Sequence, residues 1–156
     1  MAARRPGEPR YARHVSFQVS DVPLFTSLSQ RQLKRLSRLF KERRFAAGRP
    51  VVKQGEMSGV GFFVISDGEA SVTVDGAHVR RLGPGDYFGE LALISQQARA
   101  ATVTPDTPLT CQVMSFWDFR SFAKDNPEIL WKLLQQVVDL LMEERDRFAR
   151  ASLQAS

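Results

Sequence analysis

One segment of the sequence, residues 85–102, combines a glycine-containing turn with a carboxylate at Glu90 and a guanidinium at Arg99. A bound phosphate needs free backbone N–H groups and a fork-shaped cation, and this segment offers both at Gly89 and Arg99. A sugar hydroxyl needs a hydrogen-bond acceptor, and the Glu90 carboxylate is a strong one. The segment therefore predicts a site for a small phosphorylated sugar.

The local pattern around Gly89 suggests how the backbone would take part. Residues 90–94 have the pattern of a single helical turn, whose first N–H groups have no partner inside the helix. Gly89 has no side chain, so a ligand can approach the backbone closely. Ala100 and Ala101 are also small, so we expect the backbone after Arg99 to be accessible to the same ligand.

The elements that must position this segment are mostly short strands. Between Phe45 and Met114, short apolar runs alternate with glycine-containing turns. Asp75-Gly76 lies between two alternating runs and is a hairpin signal. The pattern predicts an α+β fold that is mainly β, an antiparallel jelly-roll β-barrel or sandwich.

Helical patterns lie on both sides of the predicted strands. A capping-box pattern at Ser29–Gln32 predicts an amphipathic helix over residues 30–41. After the strands, a short helix should end near Lys124. A long helix should follow, with Asp125-Asn126 as its cap and Pro127 at its first position.

Composition excludes several classes of protein. The chain has 156 residues, 43% of them hydrophobic, which suits one ordinary domain with a core, and no apolar run is long enough to predict a membrane span. Its single cysteine, Cys111, cannot form an internal disulfide and favours a buried position and the cytoplasm. His14 and His78 alone cannot form the metal centre of a cupin enzyme, so no metal is predicted.

Charge is unevenly distributed. Residues 1–53 contain 13 Lys and Arg against 3 Asp and Glu. Such a segment can attract nucleic acid, a membrane surface or an acidic partner, but a solvated helix face with a flexible basic tail explains it more simply. We expect a tail at 1–15, one domain at 16–150 and a second tail at 151–156.

The segment Phe88–Ile94 followed by Arg99–Thr102 resembles the phosphate-binding cassette of cyclic nucleotide-binding domains, as found in regulatory subunits of the cyclic AMP-dependent kinase and in bacterial cyclic AMP receptor proteins. The resemblance extends over about residues 22–150 and includes Val52–Glu56 and Leu82–Asp86. It implies N-terminal helices, an eight-stranded jelly-roll barrel and two C-terminal helices.

The resemblance also implies a role for each cassette residue. Glu90 would hold the ribose 2′-hydroxyl, and Arg99 would pair with the cyclic phosphate. Ala100 lacks the hydroxyl that often favours cyclic GMP in this family, so cyclic AMP is the expected ligand and cyclic GMP is less favoured. The expected ligand-binding residues are Gly89, Glu90, Leu91, Ala92, Arg99, Ala100 and Ala101.

The expected function is a non-enzymatic cyclic nucleotide sensor that repositions its long C-terminal helix and acts on a protein effector in trans. That helix also offers a possible homodimer surface and could close over the nucleotide base, with Leu134, Val137, Leu140 and Leu141 as candidates. A ligand-free adaptor, with Glu90 and Arg99 in an internal ion pair, is one alternative. The other is a DNA-binding regulator that uses the basic first third, although only residues 152–156 remain after the long helix for a DNA-reading module.

Overall fold

A computed structural model describes residues 19–57, 61–95 and 98–155. The chain divides into two compact units. The first contains Leu39–Arg120 and is called the β unit. The second, called the helical unit, contains Val19–Arg38 and the chain from Ser121 onward. The predicted tail at 1–15 lies outside the described residues.

The first sheet of the β unit is built around a strand that is buried except at its last residue. Its strands are β1 (Lys41–Phe45), β2 (Gly61–Asp67), β5 (Tyr87–Phe88) and β7 (Leu109–Ser115), in the order β1-β7-β2-β5. All pairs are antiparallel. The apolar run of β2 is buried along its length, and β5 and β7 pair with the strand on either side. This strand connects the core to the segment that carries the predicted site.

The second sheet contains the predicted hairpin. Its strands are β3 (Ala70–Val74), β4 (Ala77–Leu82) and β6 (Thr102–Pro105), in the order β4-β3-β6. Asp75 and Gly76 connect β3 to β4 with φ values of 52° and 79°. A two-residue hairpin of this kind needs positive φ at both central residues, which Asp-Gly tolerates well. The hairpin prediction is therefore confirmed.

The fold class is confirmed as mainly antiparallel β with flanking helices, but the barrel is not closed. The resemblance implied eight strands, whereas the described residues form seven strands in two sheets. Val52 adds a single β-bridge to Val103 of β6. The segment before Gly55 therefore lies along β6, to which the Gly48 and Val51 amides also donate hydrogen bonds.

The core of the β unit contains residues from both sheets. Cys111 is fully buried within it, as predicted, and burial raises the pKa of its thiol to about 12. Phe63 of β2 stacks on Phe88 of β5 with ring centroids 4.8 Å apart. The buried cluster consists of Val52, Phe63, Ile65, Ala70, Val72, Leu82, Phe88, Val103, Leu109, Cys111 and Val113.

The helical unit begins with two 3-10 helices, Val19–Asp21 and Pro23–Phe25, followed by helix α1 (Gln30–Ser37). The predicted capping box is present. The backbone amide of Gln32 donates to the Ser29 hydroxyl at 3.2 Å, and the backbone amide of Ser29 donates to the side-chain carbonyl of Gln32 at 2.9 Å. The predicted helix end at residue 41 is wrong. Lys41 instead begins β1, where pairing with β7 provides its hydrogen bonds.

Helices α2 (Phe116–Asp125) and α3 (Pro127–Gln154) follow β7. As predicted, Asn126 is the N-cap residue of α3 and Pro127 is the first residue of the helix. The Asn126 side chain makes no cap bond, because its amide donates to the Phe122 carbonyl at 2.8 Å. Helix α3 continues to Gln154, into the range expected to be a tail, and the domain bounds remain a prediction. Within the described residues, no helix is long and apolar enough to cross a membrane.

Candidate functional site

The site is organised around Gly89, which has a left-handed backbone with φ of 81°. A 3-10 helix of one turn, Glu90–Leu93, begins immediately after it, and the Ala92 amide donates to the Gly89 carbonyl at 3.1 Å. The helical turn predicted from the sequence is therefore present. Glycine is favoured at Gly89 because a side chain in this conformation would be strained.

The backbone at the start of this 3-10 helix is available for a ligand. The amide groups of Glu90 and Leu91 donate no hydrogen bond to another described residue. Amides without partners at a helix start carry a partial positive charge and can bind an anion. The two groups lie beside Gly89, so no side chain of that residue obstructs them.

Three groups meet at Gly89 in a space that excludes any side chain there. A Cβ atom on Gly89 would lie 2.5 Å from the Gly61 carbonyl oxygen and 2.8 Å from Nη1 of Arg99. Gly61 also has a positive φ, 136°, and a Cβ atom there would overlap the Met114 carbonyl oxygen. The start of β2, the turn and the arginine therefore pack together only because both positions are glycine.

Arg99 is held at its head group and at its backbone. Its Nη2 donates to the Gly61 carbonyl at 3.2 Å. The Gly55 amide donates to the Arg99 carbonyl at 2.8 Å, and the Arg99 amide donates to the Glu56 carbonyl at 3.1 Å. These contacts direct the side chain toward Gly89, as the predicted clamp requires.

The charge on the Arg99 guanidinium has no anionic partner among the described residues. Burial lowers the pKa of this half-buried group below its usual value, and no ion pair joins it to Glu90 or to any other described carboxylate. The internal ion pair considered as an alternative is therefore not formed. A partly desolvated cation without a partner favours the binding of an anion from solution.

A cavity of about 320 Å³ lies beside the turn, lined by Arg80, Leu82 and residues 85–90. Its volume is at the lower end of the range for small-ligand sites, roughly 300 Å³ and above. Arg80 and Leu82 were not predicted as site residues, because alternation within β4 does not show what its faces contact. Gly61 was not predicted either, since its only signal is a glycine before an apolar run.

The cavity is polar at one wall. Burial raises the pKa of Tyr87 above its usual value, and the negative charge of Glu90 raises it further, while Arg80 acts in the opposite direction. Arg80 and Glu90 therefore both act on Tyr87 at this wall. A cation and a carboxylate on one cavity wall can hydrogen-bond a ligand with both donors and acceptors.

The other predicted site residues lie around this centre. Leu91 and Ala92 are in the 3-10 helix, and the Leu91 side chain is exposed. Ala100 is exposed in the loop before β6, whereas Ala101 packs against the core cluster. The structure thus brings the Arg99 head group against Gly89, the residue before Glu90. Within the described part of the chain, no three His, Cys, Asp or Glu side chains could jointly hold a metal ion.

The fold and the site define a class: an antiparallel two-sheet domain with a glycine turn, an arginine packed against that turn, and trailing helices. The model of the cyclic nucleotide-binding domain family matches residues 42–126, which is more than half of the chain. The chain belongs to this family and contains a regulatory domain of the cyclic nucleotide-binding type.

Relatives of known function include channels and kinase subunits. A cyclic nucleotide-gated potassium channel of Mesorhizobium japonicum is 37% identical over 111 residues, which is 71% of this chain and 30% of the channel. A cAMP-dependent protein kinase regulatory subunit of Mycosarcoma maydis is 42% identical over 104 residues, 61% of this chain and 20% of the subunit. The chain thus spans less than a third of either relative.

A solved structure shows the same architecture. The N-terminal domain of a transcriptional regulator from Streptomyces coelicolor A3(2) aligns with a TM-score of 0.68 and 26% identity, covering 80% of this chain and 90% of that domain. This alignment covers nearly all of the domain from the regulator. The two-sheet arrangement is therefore shared with an experimentally determined structure.

Proposed function

We propose that this domain binds cyclic AMP in preference to cyclic GMP and uses the binding energy to regulate a protein partner in the cytoplasm. The observation that carries the proposal is the half-buried Arg99 guanidinium, which lies beside Gly89 and has no described anionic partner. A cyclic phosphate would provide that partner. The guanidinium would form two charge-assisted hydrogen bonds with its oxygens.

The remaining contacts follow from the chemistry of the ligand. The amides of Glu90 and Leu91 would donate to the phosphate, and the Glu90 carboxylate would accept from the ribose 2′-hydroxyl. Leu91, Ala92, Ala100 and Ala101 would provide backbone and apolar surface around the ligand. Ala100 has no hydroxyl to donate to a guanine, which supports the preference for adenine.

Regulation would proceed by a population shift. The nucleotide would stabilise one state of the cassette, and α3 would adopt a different position in that state. The size of the shift is limited by the difference in nucleotide affinity between the two states. An effector in trans, or a second copy of the chain bound through α3, would then detect the helix position. Leu134, Val137, Leu140 and Leu141 are the candidates to cover the base.

Calorimetry with cyclic AMP and cyclic GMP tests the ligand proposal. Wild-type protein should bind cyclic AMP more tightly, and Arg99→Ala should lose on the order of a hundredfold in affinity. Arg81→Ala is the matched control, because Arg81 is an exposed arginine on β4 whose nearest carboxylates are Glu69 and Asp106. Equal affinity in wild type and Arg99→Ala would rule out the clamp, and no binding of either nucleotide would favour an adaptor.

Hydrogen exchange in α3 tests the mechanism. Amides of residues 127–154 should change in protection at saturating cyclic AMP, because the helix changes its surroundings. The Arg99→Ala variant at the same nucleotide concentration is the control. Unchanged protection with a fully occupied site would contradict the population shift and indicate a static binder.

A further inference from the structure

A turn that does not line the cavity holds the backbone of Arg99. The chain from Val51 to Glu56 runs antiparallel to the chain from Arg99 to Val103, with Val51 and Val103 joined by a 2.8 Å hydrogen bond. The same segment ends in a turn at Gly55, which has a φ of 83°. The backbone carbonyl of Arg99 accepts from the Gly55 amide of this turn, and the backbone amide of Arg99 donates to the Glu56 carbonyl. The position of the turn therefore determines the position of the arginine.

The turn is itself attached to the β3–β4 hairpin by one side chain. Nε2 of Gln54 donates to the Asp75 carboxylate at 2.9 Å, and the Asp75 amide donates to Oε1 of Gln54 at 2.8 Å. The backbone amide of Gln54 donates to the Thr102 hydroxyl at 2.9 Å. Gln54 thus joins three segments that are distant in sequence.

Asp75 is suited to this role by its conformation. Among the described residues it is the only non-glycine with positive φ, at 52°. In this left-handed conformation its amide and carboxylate both bond to the same glutamine. A hairpin turn needs only a residue that tolerates positive φ at this position. The reciprocal pair of hydrogen bonds between Gln54 and Asp75 is therefore not required by the turn itself.

We propose that Gln54 is a positioning residue for the anion clamp: it fixes the 54–56 turn to the hairpin and thereby aligns Arg99 with the phosphate. The proposal rests on the proposed function of Arg99. Gln54 acts through the backbone of Gly55 and Glu56 and does not line the cavity. Removing its side chain should weaken nucleotide binding by releasing Arg99, while leaving Gly89 and Glu90 in place.

The first experiment compares cyclic AMP affinity in wild type, Gln54→Ala and Ser71→Ala. Each variant loses exposed side-chain hydrogen bonds, but the Ser71 bond goes to Asp106 and has no connection to the turn. Gln54→Ala should lose about threefold to tenfold in affinity, and Ser71→Ala should bind like wild type. Wild-type affinity in Gln54→Ala would overturn the proposal.

A double-mutant cycle separates positioning from a general loss of stability. In an Arg99→Ala background, Gln54→Ala should cause no further loss of affinity, because there is no guanidinium left to align. An equal loss in both backgrounds would overturn the proposal. The thermal transition of every variant is recorded, so that incomplete folding is distinguished from weak binding.

Reciprocal variants provide a rescue. Gln54→Glu alone brings two carboxylates together and should weaken binding as Gln54→Ala does. Adding Asp75→Asn should restore affinity, since asparagine tolerates positive φ and its side-chain amide can donate to the introduced carboxylate while the backbone bond is retained. Failure of the double variant to recover affinity would count against the reciprocal pair.

A measurement without nucleotide distinguishes failure of this proposal from failure of the proposed function. Exchange of the Gly55 and Arg99 amides, followed by NMR in the free protein, should accelerate in Gln54→Ala and remain unchanged in Ser71→Ala. If wild type binds no cyclic nucleotide, the proposed function fails, and this exchange result alone supports or overturns the positioning role.

Discussion

The core of the β unit and the cassette are a few residues apart in the chain, yet they are built in opposite ways. In the core, Phe63 stacks on Phe88, and the Cys111 thiol is fully buried with its pKa raised to about 12. In the cassette, Arg99 is half-buried and charged, and two amides have no described acceptor. The core is complete within the folded chain, whereas the cassette retains unused hydrogen-bonding and charge capacity.

This difference shows how binding capacity can be placed next to a stable scaffold. Burial of apolar surface stabilises the fold, while an unpaired donor or cation contributes nothing until a ligand arrives. Variants of the core should therefore change the free energy of unfolding. Variants of the cassette should change affinity with smaller effects on stability.

The largest effect is expected for Phe63→Ala. Truncating this buried ring leaves a cavity next to Phe88 and should lower the free energy of unfolding by about 3–5 kcal/mol. Urea denaturation measures the change, with the exposed Val79→Ala as control, expected within about 0.5 kcal/mol of wild type. A loss below about 1 kcal/mol would show that the core is less complete than its burial indicates.

The next effect is expected for Gly89→Ala, which should weaken cyclic AMP binding about tenfold or more because its Cβ displaces the Gly61 carbonyl or the Arg99 head group. Gly48→Ala is the matched control. It has a similar φ of 85°, but a Cβ there has no neighbour within 4 Å. Both variants share the backbone strain, so their difference in affinity measures the displacement of Arg99. Equal affinities would contradict it.

A smaller effect is expected for Arg80→Ala. The Arg80 guanidinium at the cavity wall can donate to both O6 and N7 of a guanine. Adenine has an amino group in place of O6, so the same bidentate contact cannot form. The variant should therefore lose several-fold in cyclic GMP affinity and little in cyclic AMP affinity, measured by competition. Arg81→Ala, one residue along β4, is the control. A change in cyclic AMP affinity alone would exclude contact with the base edge.

The smallest effect is expected at Cys111. With its pKa raised by burial to about 12, the thiol should remain protonated and should not react with iodoacetamide at pH 8.5 in the native protein. Because the folded state raises the pKa of Cys111, the folded chain holds the thiol proton more tightly than the unfolded chain does. The protonated thiol therefore stabilises the fold fully below about pH 8.5, and this stabilisation is lost as the pH rises toward 12. As a control, iodoacetamide should label Cys111 rapidly in urea, where the unfolded chain exposes the thiol. Rapid labelling of Cys111 in the native protein would contradict its burial.

Local features of the fold were predictable from the sequence. The capping box at Ser29–Gln32 and the hairpin at Asp75-Gly76 each depend on neighbouring residues, and both are confirmed. The end of α1 was not predictable in this way. Leu39 and Phe40 continue the helical spacing, but pairing of Lys41–Phe45 with β7 determines the outcome, and β7 is distant in sequence.

The candidate site shows the same limit. Gly89, Glu90 and Arg99 were identified because a turn, a carboxylate and a guanidinium follow one another at short spacing. Gly61 could not be identified, since its carbonyl meets Arg99 across 38 positions of the chain. At Asn126 the sequence predicted the N-cap position of α3 correctly, but it did not show that the side chain bonds backward to Phe122.

The Gly61 carbonyl has a consequence for how occupancy of the site would be observed. This residue is the first of β2, the strand paired on both sides in the first sheet, and it accepts from Arg99. A ligand that binds the folded chain at a hundred times its dissociation constant adds about 2.7 kcal/mol to the free energy of unfolding. Nucleotide bound at Arg99 would therefore raise the melting temperature of the folded chain, and a thermal scan alone would report how much nucleotide is bound.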